Sequence, residues 1–295
     1  MQRIIVLGAG AVGSYYGALL AGRNDVLLIG RGPHVETVNS KGLILTGAKE
    51  GHFKVKAAEK VEEIRPETLI LLTTKAYDSE EAILAIREKL RTDTVILVLQ
   101  NGLGNEEIVR RAARGRAEVI RGLVASGLEF NEPGKIDVKM NGETVLEKSK
   151  TGQWIGEVFK ESGLRARLSD DMTLEVWRKL VMNCVINPLT AILGVPDNEI
   201  SVKELCEVRR AIVEECVEVA MAEHVSMEMS ILEDIEHVIP SYTNLSSMYQ
   251  DIAKGKRTEI DYLNGRIVAF GKKHGIRTPV NMTMVSLVKA LEARK

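Results

Sequence analysis

Residues 3–13 read RIIVLGAGAVG, a β-branched apolar run followed at once by glycines at the spacing G-x-G-x-x-G. The run predicts a buried strand, the residues after it a helix, and residues 26–29 a second strand, so that together they form one βαβ unit. In such a unit Gly8 permits a tight turn, Gly10 lets the backbone approach a pyrophosphate, and Gly13 lets the helix pack on the strand. The helix N-terminus offers free N–H groups to the phosphates. The stretch therefore predicts a dinucleotide-binding loop, formed by Gly8, Ala9, Gly10, Ala11, Val12 and Gly13.

The same stretch is uncharged from Ile4 to Gly22, about the length of a membrane-spanning helix. A membrane span does not explain glycines at a fixed spacing, and a signal peptide would have a basic start and a small-residue cleavage site. Nucleotide binding explains the glycines. We therefore expect no membrane partner.

Strands and helices continue to alternate through the first half of the chain. Residues 68–73 (TLILLT) and 94–99 (TVILVL) are continuous apolar runs, typical of strands buried on both faces of a parallel sheet. Residues 79–90 between them predict an amphipathic helix with Ser79 as its N-cap. Further predictions are a helix at 35–41, a hairpin of 43–46 with 53–57, added antiparallel strands within 118–146, a helix at 153–162 and a last strand at 164–168.

From residue 169 onward almost every segment has helical periodicity, with predicted interruptions at Pro188, Pro196, Pro240, Gly255 and Pro279. The predicted fold class is α/β, a Rossmann-type doubly wound sheet followed by an all-α domain. We place the dinucleotide-binding domain at residues 1–168 and the helical domain at residues 169–295.

Composition excludes several functional classes. The chain has 40 basic and 41 acidic side chains and a net charge of -1, whereas nucleic-acid-binding proteins usually carry a basic excess. Its 3 cysteines form no CxxC pair, which favours a reducing cytoplasm over a secreted disulfide framework. The 5 histidines are scattered without ligand spacing, so no metal site is predicted.

The end of the second predicted strand bears on the choice of cofactor. NAD enzymes usually carry an acidic residue there for the ribose 2′-hydroxyl, but residues 29–32 read IGRG. Arg31 is suited to bind a 2′-phosphate, which favours NADPH by about tenfold or more. The alternative is that Arg31 is only a surface residue. Lys75 and Asn101 follow the next two sheet strands, where cofactor or substrate is bound, although Lys75 could equally be a solvated loop lysine.

Residues 175–193 (EVWRKLVMNCVINPLTAIL) contain a polar stripe in an apolar helix. Lys179, Asn183 and Asn187 lie at i, i+4 and i+8 and so share one helix face. Burying them is unfavourable unless each has a partner. A cleft holding a polar substrate would supply partners, and so would a structural hydrogen-bond network between helices. Spacing alone favours neither.

Two later motifs, SSMYQD at 246–251 and RTEIDYLNG at 257–265, add a further pattern. Taken with GAGAVG, the KA loop at 75–76, QNGLG at 100–104 and WRKLVMNCVINPLTA at 177–191, they closely resemble the ketopantoate reductases (2-dehydropantoate 2-reductases). The resemblance covers essentially the whole chain. It implies NADPH-dependent reduction of 2-dehydropantoate to pantoate, on the route to pantothenate and coenzyme A, and a homodimer formed through the helical domain.

The resemblance also implies roles for residues in the matching motifs. Lys179 would be the catalytic lysine, and Glu259 would bind substrate and assist catalysis. The remaining substrate-binding residues would be Asn101, Asn183, Asn187, Asn244 and Ser247. NADPH would contact residues 8–13, Arg31, Lys75 and Asn101. The sequence departs from many relatives at Asp197, where they carry Asn or Gly, and this residue is not assigned to the site.

The proposed chemistry agrees with these residue types. Hydride transfer to a 2-keto group places negative charge on the ketone oxygen, which a lysine ammonium can stabilise and protonate. Two alternatives stay open: another NADP-dependent 2-oxoacid or β-hydroxyacid dehydrogenase with the same two-domain plan, and a non-enzymatic NADP-binding sensor, since fold alone does not give function.

Overall fold

The computed structural model describes residues 1–294 and forms two compact units. The first comprises Met1–Gln100 and Gly104–Met172. The second comprises Asn101–Leu103 together with the chain from Thr173 onward. Three residues of the QNGLG motif, Asn101–Leu103, thus group with the helical part of the chain.

The first unit is built on an 8-stranded sheet with the order β12-β11-β8-β7-β6-β1-β2-β5. Its strands are β1 (Arg3–Leu7), β2 (Asp25–Ile29), β5 (Lys56–Ala58), β6 (Leu69–Leu72), β7 (Val95–Val98), β8 (Glu118–Val124), β11 (Thr144–Glu147) and β12 (Ala166–Ser169). All neighbouring strands run parallel except β8 and β11. The antiparallel pairing expected within residues 118–146 is found between β8 and β11, but β8 also pairs parallel with β7, which was not predicted.

Both faces of this sheet are buried because successive strand residues point to opposite sides. One core cluster contains Ile4, Val6, Leu69 and Leu71, and the other contains their strand neighbours Ile5, Leu7, Ile70 and Leu72. The helices of this unit are α1 (Ala11–Leu20), α2 (Gly32–Lys41), α3 (Ser79–Ile86), α4 (Asn105–Ala113) and α5 (Lys150–Glu161). Helices α1 and α5 contribute to the first cluster, and α3 and α4 to the second. This is the doubly wound arrangement that the sequence predicts.

A second, 4-stranded sheet has the order β4-β3-β10-β9. Its strands are β3 (Leu43–Gly47), β4 (Gly51–Phe53), β9 (Gly127–Glu132) and β10 (Lys135–Met140). The predicted hairpin exists, but β3 pairs with residues 51–53, whereas Lys56–Ala58 leaves it to pair with β2. Strands β9 and β10 are antiparallel to each other, as predicted, while β10 and β3 are parallel.

The N-cap assigned to helix α3 was wrong. Ser79 lies inside the helix, Asp78 precedes it, and the Ser79 hydroxyl donates to the carbonyl of Ala76 at 2.7 Å. A 3-10 turn at Ala76–Asp78 leads into the helix, so the chain is already turning before the predicted cap.

The second unit is helical. It contains α6 (Met172–Leu193), α7 (Cys206–Ala222), α8 (Ser230–Val238), α9 (Ser247–Ala253), α10 (Asn264–His274) and α11 (Pro279–Glu292). The predicted α/β fold class with a helical C-terminal domain is confirmed. Pro188 does not end a helix as predicted, since α6 continues through it. Within residues 1–294, none of the helices has the length and hydropathy that a transmembrane segment needs.

Candidate functional site

The glycines of the loop between β1 and α1 occupy three different environments. Gly8 has φ +116°, a conformation that side chains rarely adopt, and a Cβ there would lie 2.5 Å from the backbone nitrogen of Thr74. A Cβ on Gly13 would lie 2.1 Å from the carbonyl oxygen of Gly8. Gly10, in contrast, has no heavy atom within 4 Å of its Cβ position. The open side of this loop, at the N-terminus of α1, therefore fits the pyrophosphate of a dinucleotide.

A buried histidine connects this loop to the start of α2. His34 is 6% exposed; its Nε2 lies 3.0 Å from the hydroxyl of Ser14, and its Nδ1 accepts from the backbone N–H of Gly134 at 3.0 Å. Burial holds the pKa of His34 below its ordinary value. Because Nδ1 must be unprotonated to accept this hydrogen bond, the neutral imidazole is the form that ties α1 and α2 together.

Arg31 precedes α2, and its side chain is 94% exposed. The guanidinium lies 3.8 Å from the carboxylate of Asp78, which follows β6. The arginine is thus accessible at the carboxyl end of the strands, with one anion already beside it. The exposure of Arg31 fits a 2′-phosphate and also agrees with the surface role that the sequence left open, whereas the Asp78 carboxylate would repel a phosphate at this position.

The loops after β6 and β7 are joined by buried polar side chains. The side-chain amide of Gln100 donates to the hydroxyls of Thr74 at 3.0 Å and Ser79 at 2.6 Å, and the backbone carbonyl of Gln100 accepts from Arg121 at 2.8 Å. Arg121 is 3% exposed, and burial lowers its pKa, while nearby Glu106 raises it. This network holds Thr74 and Gln100, the residues directly before Lys75 and Asn101, in place.

Helix α6 carries the predicted polar stripe. Lys179 and Asn183 are partly exposed, and Asn187 is 6% exposed. The side-chain amides of both asparagines have no hydrogen-bond partner among residues 1–294. Amides that are not paired within the described residues are available to hydrogen-bond a polar ligand or water.

The segment Asn101–Leu103 is held by the turn that follows Glu259. The backbone N–H of Leu103 donates to the carbonyl of Tyr262 at 3.3 Å, and the carbonyl of Leu103 accepts from Arg266 at 3.1 Å. Gly102 has φ +88°, and a Cβ there would lie 2.4 Å from the Tyr262 carbonyl oxygen. The second unit therefore brings the residue after Asn101 and the turn after Glu259 into contact.

Ser247 is joined to α6 through its neighbour. Ser246 caps α9 by accepting from the backbone N–H of Tyr249, and its hydroxyl lies 2.7 Å from that of Thr190 on α6. Ser247 itself is exposed and begins α9.

Asn244 has a different environment, because its amide donates to the carboxylate of Asp197 at 2.6 Å. Asp197 is 3% exposed, and its backbone N–H donates to the Asn244 carbonyl at 3.0 Å. Asp197 thus fixes the orientation of a predicted substrate-binding residue.

Three residues with structural hydrogen bonds were not predicted from the sequence: Thr190, Ser246 and Asn264. A signal was available for Asn264: a proline that continues a helix leaves one carbonyl without its helical donor, and a polar side chain must supply it.

Two family models match this chain. Residues 4–151 match the ketopantoate reductase PanE/ApbA model, and residues 171–292 match its C-terminal counterpart. The chain belongs to the ketopantoate reductase family. It is accordingly an oxidoreductase.

Known members of the ketopantoate reductase family and a related dehydrogenase resemble the chain over its whole length. A 2-dehydropantoate 2-reductase of Pyrococcus horikoshii is 35% identical and aligns over 99% of this chain and 98% of its own. The crystal structure of a PanE/ApbA family ketopantoate reductase from Ralstonia eutropha superposes with a TM-score of 0.92 at 33% identity, covering 99% of both chains. A ternary structure of D-mandelate dehydrogenase with NADH and anilino(oxo)acetate superposes with a TM-score of 0.89 at 30% identity, again covering 99% of both.

Proposed function

We propose that the protein reduces 2-dehydropantoate to pantoate with NADPH, on the route to pantothenate and coenzyme A. The observation that carries this proposal is the polar face of α6, where the amides of Asn183 and Asn187 have no partner among the described residues. A structural network would have paired them. Membership of the ketopantoate reductase family favours a polar 2-oxo acid as their ligand.

NADPH is proposed to bind along residues 8–13, with its 2′-phosphate at Arg31 and further contacts at Lys75 and Asn101. The open space beside Gly10 and the exposure of Arg31 support this placement. When bound, the reduced nicotinamide supplies a hydride to the 2-keto carbon. A guanidinium binds a phosphate through two parallel hydrogen bonds, which gives NADPH its advantage over NADH.

Lys179 is proposed as the general acid. Its ammonium stabilises the negative charge that develops on the ketone oxygen, and its Nζ then donates a proton to that oxygen. Glu259 is proposed to orient the substrate hydroxyl or the lysine itself. Asn183 and Asn187 would hold the substrate through their free amides, together with Ser247, Asn244 and Asn101.

The same family membership supports the remaining assignments. We propose residues 1–168 as the NADP-binding domain and residues 169–295 as the domain that binds substrate and forms a homodimer. A cytoplasmic location agrees with the free thiols of the described residues.

The decisive experiment follows NADPH absorbance with purified protein and ketopantoate. Turnover is expected for the wild type, and Lys179→Ala is expected to abolish it while the Kd for NADPH stays within about twofold. Lys203→Ala, which removes an exposed lysine of the same helical unit, is the matched control and should retain activity. If Lys179→Ala retained wild-type turnover, the proposed acid would be wrong.

A second function is favoured by the likeness to D-mandelate dehydrogenase. In that case the substrate is another 2-oxo acid, with NADH as the reductant. Two substrates are assayed in parallel, ketopantoate and the 2-oxo acid that is reduced to mandelate, each with NADPH and with NADH. The substrate and cofactor that give the highest kcat/KM identify the function. A non-enzymatic NADP-binding sensor would bind NADPH and show no turnover with either acid.

A further inference from the structure

Helix α6 contains a built-in gap in its backbone hydrogen bonding. Proline has no N–H, so Pro188 cannot donate to the carbonyl of Cys184 four residues earlier. Cys184 and Pro188 are both buried, which denies that carbonyl bulk water as a substitute. An unpaired buried carbonyl is unfavourable, so another donor is needed there.

The donor is the side chain of Asn264, the first residue of α10. Its Nδ2 donates to the Cys184 carbonyl at 2.9 Å and to the Oδ1 of Asn281 at 2.9 Å. Asn264 is fully buried, and its own Oδ1 meets no donor within residues 1–294. Asn264 therefore uses both N–H groups of its side-chain amide, while the amide oxygen accepts no hydrogen bond from the described residues.

Neighbouring groups determine which way this amide points. The Nδ2 of Asn281 donates to the carboxylate of Glu215 at 2.7 Å, which leaves the Oδ1 of Asn281 to face Asn264. Glu215 also accepts from the backbone N–H groups of Val280 and Asn281, at 2.8 Å each, at the start of α11. A directed chain of hydrogen bonds thus runs from Glu215 through two amides to the gap in α6.

The gap in α6 lies where this series of hydrogen bonds meets the candidate site. Cys184 lies between Asn183 and Asn187, so the hydrogen bonding of the Cys184 carbonyl affects the relative direction of the two amides. Asn264 also follows Glu259 by one 3-10 turn, Ile260–Tyr262. One hydrogen bond therefore joins the segment that carries Glu259 to the turn of α6 that carries the asparagines.

We propose that Asn264 is a positioning residue for the reaction: by replacing the hydrogen bond that Pro188 removes, it fixes the direction of α6 between Asn183 and Asn187. It does not contact substrate or cofactor in this role. The inference rests on the proposed reduction of a 2-oxo acid.

The test compares wild type, Asn264→Ala, Pro188→Ala and the double variant. Kinetics use ketopantoate and NADPH well below the unfolding temperature, and Tm is measured for each protein. Asn264→Ala is expected to lower kcat/KM for ketopantoate by about 10- to 100-fold, the effect of a small misplacement of binding groups, with the Kd for NADPH within twofold. Val213→Ala, a fully buried truncation on α7, controls for lost stability alone and should leave kcat/KM within about twofold.

Pro188→Ala restores a backbone donor to the Cys184 carbonyl, so Asn264→Ala should lower Tm less in that background than in the wild type. Activity is not expected to return with stability in the double variant, because α6 then has neither Pro188 nor the hydrogen bond from α10. If Asn264→Ala does not fold, recovery of folding in the double variant supports the inference, and failure of both overturns it.

Two further results would overturn the inference: wild-type kcat/KM in folded Asn264→Ala, or an equal loss in Val213→Ala. A wild-type protein that turns over no 2-oxo acid would instead refute the proposed function. The Tm comparison would then still report whether Asn264 serves the Cys184 carbonyl.

Discussion

Substituting alanine for Gly10 should weaken cofactor binding without unfolding the protein. Gly10 has φ −78°, which alanine adopts freely, and a Cβ at this position meets no heavy atom within 4 Å. Gly10 is the N-cap of α1, where alanine is less favourable than glycine, but alanine also reduces the entropy of the unfolded chain. These effects oppose each other, so we expect the free energy of unfolding to change by less than about 1 kcal/mol.

Gly13→Ala, at the third residue of α1, is the matched control for Gly10→Ala. Its Cβ would lie 2.1 Å from the Gly8 carbonyl oxygen, 2.6 Å from the Thr73 hydroxyl and 3.0 Å from a Val6 methyl carbon. The first of these atoms belongs to the backbone and cannot turn aside. Overpacking of this kind costs about 1–3 kcal/mol or more, which lowers Tm by roughly 2–4 °C per kcal/mol in a domain of this size.

Gly10→Ala should bind NADPH more weakly because the added methyl group occupies the space proposed for the pyrophosphate. If the pyrophosphate lies against Gly10, a Cβ pushes it away from the N-terminus of α1. Each charged hydrogen bond lost is worth about 1.5–3 kcal/mol, so the Kd for NADPH should rise by roughly 10- to 150-fold. Fluorescence titration gives this Kd, and urea unfolding of the apo protein gives stability.

The two variants should therefore separate binding from folding. Gly10→Ala is expected to combine wild-type stability with weak NADPH binding, and Gly13→Ala to be destabilised. Wild-type NADPH affinity in folded Gly10→Ala would refute the placement of the pyrophosphate at this loop. An unfolded Gly10→Ala would show that the open space beside it is not available to a side chain.

Three other outcomes can be measured with the same protein. Arg31→Asp should raise the Kd for NADPH by about tenfold or more and leave that for NADH nearly unchanged; an unchanged preference would assign Arg31 to the surface only. His34 has its folded pKa below the unfolded value of about 6.5, so the unfolded chain binds the extra proton and stability should fall as pH drops below about 6.5. The free energy of urea unfolding is measured against pH for the wild type and for His34→Gln, and the difference between them removes the contribution of the other histidines. If the two pH profiles are parallel, His34 is not the cause. Asn187→Leu should raise KM for ketopantoate at least tenfold without lowering Tm, whereas a structural amide would show a clear drop in Tm.

Local patterns predicted the sheet of the first unit well. The apolar runs at 68–73 and 94–99 form β6 and β7, because a strand buried on both faces needs apolar side chains at every position. The glycine spacing after β1 likewise predicted the turn into α1, because only a residue without a Cβ fits the conformation of Gly8. Both signals lie within a few residues of the structure that they specify.

Pairing between distant segments was not predictable in the same way. The turn signals within 118–146 correctly indicated short strands, but no local feature shows that β8 pairs parallel with β7 or that β10 pairs parallel with β3. The grouping of Asn101–Leu103 with the helical unit also depends on a remote partner, Tyr262. Sequence periodicity fixes which face of a strand is buried, not which strand lies beside it.

The polar groups of α6 show why the site was only half predictable. Spacing placed Lys179, Asn183 and Asn187 on one face, but could not distinguish a substrate site from a structural network. The structure contains a structural network on this helix, and it uses other groups: Ser246 meets Thr190, and Asn264 meets the Cys184 carbonyl. Those demands are met without the two asparagines, whose amides have no partner among the described residues, and this is the property that we expect of the proposed substrate-binding face.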